Sequence, residues 1–443
     1  MTKRTRKWWL LVGGLLVALL VVAIACDDDD EDGGVTPTGE TPAAAETPTP
    51  PAELQTDFGV TDTEIILGQH TVLSGNLAAV FSPIAPATAA YFEKVNQEDG
   101  GVCGRSLTFI VEDDQYSPAA ALERARKLVD QDGILAFVGN LGTPPNSGSI
   151  AFINDPNEDG DTSDGIPNLW LSTGAPALND PVTLPWTFGY IPDYDSEGRI
   201  LGTYVNDNFS DQTVAILYQG DPFGEPGRDG FTDVFAGEVI AEQSYESTAT
   251  EITSQLATLR DAGPDILYLY STPAFTAQTF GYMLANDWSP QVVMSYVNSH
   301  TTLASLVGGD DGVEAGFERI AGTISTNYLL DPVGDADDPA IVEHTRIMEA
   351  YNGPPVGTLS VYGQSLAETA VEGLNIACDN NDMTREGVRS AAESLQGFST
   401  SLTLPGIEIN TSPTDHFALQ SLVPQRIESD GTLTSLSDPI SVE

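Results

Sequence analysis

Asp155, Asn157 and Asp159 alternate ahead of Gly160 in the stretch DPNEDGDTSDG at 155–165. Oxygen-bearing side chains at the first, third and fifth positions, with glycine at the sixth, open a calcium loop of the D-x-[DN]-x-[DN]-G type, and Asp161 at the seventh offers its carbonyl. Ile166 stands where the closing bidentate glutamate belongs, so Asp164 would have to close a tighter loop. The five carboxylates of the stretch repel one another unless a cation or water screens them. Two readings follow: a structural calcium ion that pins the insertion beside Ser172, or a solvated acidic insertion that binds nothing. Neither makes this stretch the seat of the main activity.

Other chemistry is sparse. His70, His300, His344 and His416 are scattered without ligand spacing, and the chain has neither G-x-x-x-x-G-K-[ST] nor H-E-x-x-H. The nearest approach to a nucleophile elbow, Gly363-Gln364-Ser365-Leu366-Ala367, lies inside the helical stretch LSVYGQSLAETAVEGL and lacks the final glycine. An elbow needs a strained strand-to-helix turn. No nucleophile and base can be paired, so the expectation is a binding protein without a required cofactor, not an enzyme. What recurs instead is a set of loops rich in glycine, small hydroxyls and aromatics, at 72–81, 139–149, 171–176, 218–225 and 294–300. Their N–H groups and hydroxyls suit a carboxylate or amide, and the aromatics suit the apolar body of a small solute.

Each loop follows a short apolar run. EIILGQHTV (64–72), LTFIVEDD (107–114), ILAFVG (134–139), NLWLS (168–172), TVAILYQ (213–219), DILYLYS (265–271) and QVVMSY (291–296) read as strands. Helical patterns separate them: the stripe Ile84, Thr88, Tyr91 and Val95, a helix opened by Ser117-Pro118, and the stretches 196–208, 252–263 and 275–287. Residues 231–239 are expected to carry a helix into a strand. Strands alternating with helices predict βαβ units and parallel sheets. The roughly 380 residues of this pattern exceed one comfortable core, so two lobes are expected. Ligands of open parallel sheets bind at the carboxyl ends of the strands.

From Asp62 onward the chain resembles the branched-chain amino acid-binding proteins of ABC importers. The residues that carry the resemblance are Leu73-Ser74-Gly75, Gly100-Gly101-Val102, Val111-Glu112-Asp113-Asp114 with Ser117-Pro118, and Phe137-Val138-Gly139. They continue through Ile166-Pro167, Ser172-Thr173-Gly174-Ala175, Asp193-Tyr194 with Glu197-Gly198, and Asp221-Pro222-Phe223-Gly224. The resemblance implies an α/β chain of two Rossmann-like lobes with parallel-sheet cores joined by a three-strand hinge, the type I periplasmic-binding fold. It implies lobes at 62–188 with 322–402 and at 189–321 with 403–443, closing over a solute. Thr143, Ser172 and Gly174 would hold the solute carboxylate, Ser74 and Phe81 would edge the cleft, and Phe223 would press from the second lobe. Thr173, Tyr194, Tyr296 and Asn298 complete the candidate set. Amino-acid binders of the family set an acid from the second lobe against the ligand ammonium, but the matching loop here, 295–300, has none. Either Asp221 substitutes, or the solute is an amide or acid and no simple α-amino acid. The implied partners are that small solute and an ABC permease; a sensing module acting in trans on a membrane receptor is the alternative.

The N-terminus supports an exported protein. Lys3, Arg4, Arg6 and Lys7 precede an uncharged run from Trp8 to Ala25, the layout of a secretory signal, with a retained membrane anchor as the competing reading. Ala23-Ile24-Ala25-Cys26 resembles a lipoprotein lipobox, though leucine is usual where Ala23 stands and an ordinary signal peptidase could also cut there. The resemblance implies a signal peptide at 1–25, a lipidated Cys26, and a location outside the cytoplasmic membrane, tethered by 26–61. That Thr/Pro/Ala/Glu segment has too little apolar surface to fold. With all 65 acids and 13 of the 17 cations beyond Cys26, the processed chain carries net charge −52. It would be repelled by nucleic acid and anionic membrane surfaces, so membrane contact is expected through the lipid alone. Lipidation leaves Cys103 and Cys378, which in an exported protein invite a disulfide, two buried thiols being the alternative. A monomer is expected.

Overall fold

The computed structural model describes residues 53–75 and 77–441; the signal segment, Cys26 and most of the tether lie outside them. The tether was expected to run to residue 61. Its last part instead joins the fold: Gln55–Thr56 (β1) pairs in parallel with Asp382–Met383 (β12), and the Gln55 N–H reaches the Asn381 carbonyl at 2.9 Å.

The first lobe is a parallel sheet of Glu64–Thr71 (β2), Ser106–Asp113 (β3), Ala136–Val138 (β4), Asn168–Leu171 (β5) and Thr187–Gly189 (β6), in the order β3-β2-β4-β5-β6. The second is built on Val214–Gln219 (β7), Val239–Tyr245 (β8), Ile266–Tyr270 (β9), Gln291–Met294 (β10) and Ile324–Asn327 (β11), all parallel, in the order β8-β7-β9-β10-β11. Ser421–Ile427 (β13) runs antiparallel beside β11, and Leu433–Ser435 (β14) and Ile440–Ser441 (β15) pair with β13. Strands β4, β5, β9 and most of β7 are buried throughout, the sign of sheets covered by helices on both faces.

In chain order the helices are Ala78–Phe81 (α1), Ile84–Lys94 (α2), Pro118–Asp130 (α3), Thr143–Asn154 (α4), Tyr194–Asn208 (α5), Gly224–Val234 (α6), Thr253–Ala262 (α7), Pro273–Ala285 (α8), His300–Gly308 (α9), Val313–Ile320 (α10), Pro339–Ala350 (α11), Thr358–Asp379 (α12) and Arg385–Ala392 (α13). Helix α3 starts as the sequence indicates, with the Ser117 side chain accepting from the Ala120 N–H and Pro118 in its first turn. Helix α6 begins seven residues ahead of the expected helix. Its Gly-rich start, GEPGRDG, looks unlike a helix because α6 lies almost backbone to backbone on α5 and on Tyr270. A Cβ on Gly227 would come within 2.1 Å of the Tyr270 ring, and one on Gly198 within 2.4 Å of the Gly227 carbonyl.

The chain passes between the sheets three times, at positions that differ from the expected boundaries. Because β11 pairs with β10 and β13, the chain stays in the second lobe until Asn327, beyond the expected 321. Gly189 bridges Phe417, so the return to the second lobe comes after that residue and not at 403. Cys103 and Cys378 form a disulfide with a Cα separation of 5.8 Å, tying the turn before β3 to the end of α12.

Candidate functional site

A cleft of about 90 Å3, partly open to solvent, lies between the lobes. Its body is aromatic and aliphatic: Phe81, Tyr116, Tyr194, Phe223, Tyr296 and Tyr362 all face it. Tyr194 packs edge-on to Phe223 at 5.1 Å and Tyr296 edge-on to Tyr328 at 5.7 Å, so the rings brace one another. Among the lining residues there is no Asp, Glu, Lys, Arg or His.

Six helices begin at this cleft. Thr143, Tyr194 and Thr358 are the first residues of α4, α5 and α12, while Phe223, Thr272 and Ser299 precede α6, α8 and α9, and all six line the space. Gly142 has no side chain to cap α4, and the Thr272 and Ser299 side chains make no capping hydrogen bond. Helix N-termini present N–H groups and partial positive charge. The ends of α5 and α6 are taken by carboxylates, Asp193 accepting the Asp195 and Ser196 N–H groups and Asp221 those of Phe223 and Gly224. This leaves α4, α8 and α9 as helix ends without a side-chain cap beside an uncharged, largely apolar space. Gly142 is required where α4 starts: φ is +94°, and a Cβ would meet the Tyr116 ring at 2.4 Å.

The hydroxyls are held in place. Ser172 Oγ and the Tyr362 hydroxyl lie 2.6 Å apart, and Thr143 Oγ1 and Thr173 Oγ1 2.7 Å apart. The Tyr296 hydroxyl donates to the Pro192 carbonyl at 2.6 Å. Across the mouth, the Thr358 N–H of α12 donates to Thr301 Oγ1 of α9 at 3.3 Å, a contact between the lobes.

Six of the ten candidate residues line the cleft: Phe81, Thr143, Ser172, Tyr194, Phe223 and Tyr296. The other four stand off it. Ser74 donates to Asp113 Oδ2 at 2.5 Å on the surface. Thr173 is buried behind Thr143, and Gly174 accepts the Tyr194 N–H at 3.0 Å where a Cβ would strike the Pro192 carbonyl. Asn298 lines an adjoining chamber. Asp221, the acid expected to stand in for the missing one, accepts the Phe223 N–H at 2.9 Å and the Gln219 side chain at 2.7 Å, and is absent from the lining. Tyr116, Tyr328, Thr358 and Tyr362 were not foreseen. Thr272-Pro273, a cap-and-proline start after β9, was the one missed position with a clear sequence signal.

Beneath the cleft lies Glu197, fully buried, which accepts from Tyr270, Ser295 and Thr326 hydroxyls and from the Tyr296 N–H. Burial pushes its carboxyl up to about 7 against the pull of those donors.

A Ser–His–carboxylate line does occur: His70 Nδ1 lies 2.9 Å from Asp114 Oδ2 and its Nε2 3.0 Å from Ser149 Oγ. All three are fully buried and none lines the cleft, so the array ties α4 to the ends of β2 and β3. Ser365 bonds to Tyr190 at 2.6 Å and Thr400 at 2.7 Å inside α12, with no elbow. In the acidic loop, Asp155 accepts the Asp159 and Gly160 N–H groups, Asp159 that of Asp161, and Asp161 that of Ser163. Asn157 pairs with Asp164. The carboxylates of the proposed calcium loop thus turn onto their own backbone, and among the described residues no three His, Cys, Asp or Glu side chains are grouped to hold a metal. No helix among the described residues is long and apolar enough to cross a membrane.

Two parallel-sheet lobes with helix N-termini facing a shared cleft define a solute-binding protein. The sequence from 64 to 432 matches the periplasmic binding protein family, and the chain belongs to that family. Among curated proteins it is similar to the Leu/Ile/Val-binding protein homolog 2 of Brucella abortus, 24% identical over 329 residues, 73% of this chain and 82% of that one. Among solved structures it is similar to the fatty acid ABC transporter substrate-binding protein of Thermomonospora curvata, with TM-score 0.74, 23% identity, and coverage of 88% and 95% of the two chains. It is equally similar in fold to a branched chain amino acid ABC transporter protein of Thermus thermophilus with bound valine, with TM-score 0.74, 18% identity and coverage of 88% and 98%.

Proposed function

We propose that the chain is an extracytoplasmic, lipid-anchored solute-binding protein that captures a small carboxylic acid with an apolar body and delivers it to an ABC permease. The observation that carries this reading is the pairing of an uncharged aromatic wall with the N-termini of α4, α8 and α9, which no side chain caps. A carboxylate gains from N–H groups and helix ends, and the apolar body gains from leaving water. An α-amino acid would also bring an ammonium to a wall with no acid, at a cost of several kcal/mol. The Thermomonospora curvata protein is a fatty acid ABC transporter substrate-binding protein, and the Thermus thermophilus protein holds bound valine; the wall favours the former kind of solute. Closure with the Thr301–Thr358 contact would present a loaded form to the permease. The charged and apolar N-terminal segment ahead of Cys26 supports export and lipid anchoring.

The test is thermal unfolding of the chain that begins after Cys26, with octanoate and 3-phenylpropionate, their amides, and leucine. A ligand at about 100 times its dissociation constant adds about 2.7 kcal/mol of stability. The acids should stabilise, the amides less, and leucine not at all. Stabilisation by leucine alone would return the solute to the amino acids, and no stabilisation by any of these would remove the cleft assignment.

A further inference from the structure

A second, small chamber of about 30 Å3, room for one hydroxyl-sized group, adjoins the cleft, and Tyr296, Ser299, Asn327 and Thr358 line both spaces. It is more polar than the cleft. Asn298, His300 and Gln425 line it, at 2%, 5% and 4% exposure. Asn298 Nδ2 donates to the Ser271 carbonyl at 3.0 Å and the Ser295 carbonyl at 3.3 Å, which fixes the amide's orientation. Its Oδ1 has no hydrogen-bond partner within the chain. Gln425 repeats the pattern: Nε2 donates to Ser435 Oγ at 3.2 Å, and Oε1 has no partner. A buried acceptor left without a donor costs about 1–3 kcal/mol. Two of them beside one cavity call for a donor in that cavity. Asp331 lies with Oδ1 3.0 Å from His300 Nε2, out of hydrogen-bond geometry, and accepts the Val333 and Gly334 N–H groups at 3.0 and 2.8 Å. The unpartnered atoms are thus two amide oxygens and His300 Nε2; the oxygens suit a neutral O–H or N–H.

We infer that this chamber receives the donor-bearing far end of the solute, so that the solute is a carboxylic acid with a hydroxyl or amide group opposite its carboxylate. The inference rests on the acid-binding reading of the cleft. The carboxylate would sit among the helix N-termini, the apolar body between the rings, and the terminal donor would reach past Tyr296 and Asn327 to Asn298 and Gln425.

Calorimetric titration of hexanoate, octanoate and decanoate against their ω-hydroxy counterparts tests it on the unaltered protein, with no dependence on a variant's folding. At the chain length that spans cleft and chamber, the hydroxy acid should bind about tenfold tighter than its parent. In Gln425→Met, which keeps the bulk and removes the acceptor, that ratio should fall towards one. Parent acids that bind at every length, with hydroxy acids equal or weaker, would overturn the inference and leave the acid-binding reading standing. Binding of none of the acids would remove both.

Discussion

The Tyr296 backbone N–H donates to Glu197 Oε1 at 2.7 Å, across 99 positions of sequence. With Tyr270 and Ser295 at 2.7 Å and Thr326 at 2.6 Å on the same carboxyl, one side chain knots together β9, the loop after β10, and β11. Tyr296 lines the cleft, so the floor of the solute site depends on a group outside it. Burial raises this carboxyl from 4.5 to about 7. Between those values the folded protein keeps a proton that the unfolded chain has released, so the stability from this group is full below pH 4.5 and is lost as pH rises through 7. The shift corresponds to about 3 kcal/mol. Unfolding free energies of the wild type minus Glu197→Gln should fall by about that much from pH 4.5 to above 7; a difference independent of pH would refute the assignment.

His70, Asp114 and Ser149 have the order of a charge relay but lack access to solute. His70→Ala should destabilise the fold by about 3–5 kcal/mol, because Asp114 would be left buried without its ring partner. Urea unfolding reads this directly. Ester hydrolysis should be at the solvent background in both proteins, and a rate lost on substitution would instead make the array catalytic.

The strand-and-loop grammar was legible because β4, β5, β7 and β10 are short apolar runs followed directly by glycine or serine, at Gly139, Ser172, Gly220 and Ser295. Those ends placed Thr143, Ser172, Phe223 and Tyr296 at the cleft, while Tyr194 came from the resemblance through Asp193-Tyr194. Thr358 and Tyr362 were hidden because α12 reads as a uniformly buried helix, and nothing local says that its first turn faces a solute from the other end of the sequence. Asn298 and Gln425 share a chamber only through the pairing of β13 beside β11, which no periodicity reveals. The glycines of α6 misled in the same way, since their reason is contact with α5 and Tyr270 and not a turn.

Ser172 and Tyr362 offer their hydroxyl pair to the cleft from the first lobe. If that pair helps to hold the carboxylate, Ser172→Ala should weaken octanoate binding about tenfold and octanamide binding less, since hydrogen bonds to charged groups are the stronger ones. Ser74→Ala, at a hydroxyl turned to Asp113 on the surface, provides the contrast and should leave both affinities near wild type. Equal losses for acid and amide would assign Ser172 to packing.

The charge of the chain makes its own demand. Net charge is −48, and many acids lie on the surface with few cations to pair with them: Asp310, Glu349 and Glu408 are all exposed. Isolated surface ion pairs contribute little, so the balance is set by repulsion among carboxylates, which the compact state feels more than the unfolded chain. Raising sodium chloride from about 0.1 M to about 1 M shortens the screening length from about 10 Å to about 3 Å. The melting temperature should therefore climb with salt, most steeply at the low end where screening changes most. A climb confined to the high end would point to salting-out of apolar surface. A melting temperature that falls with salt would mean that the ion pairs outweigh the repulsion, and the acidic surface would then be a stabilising network.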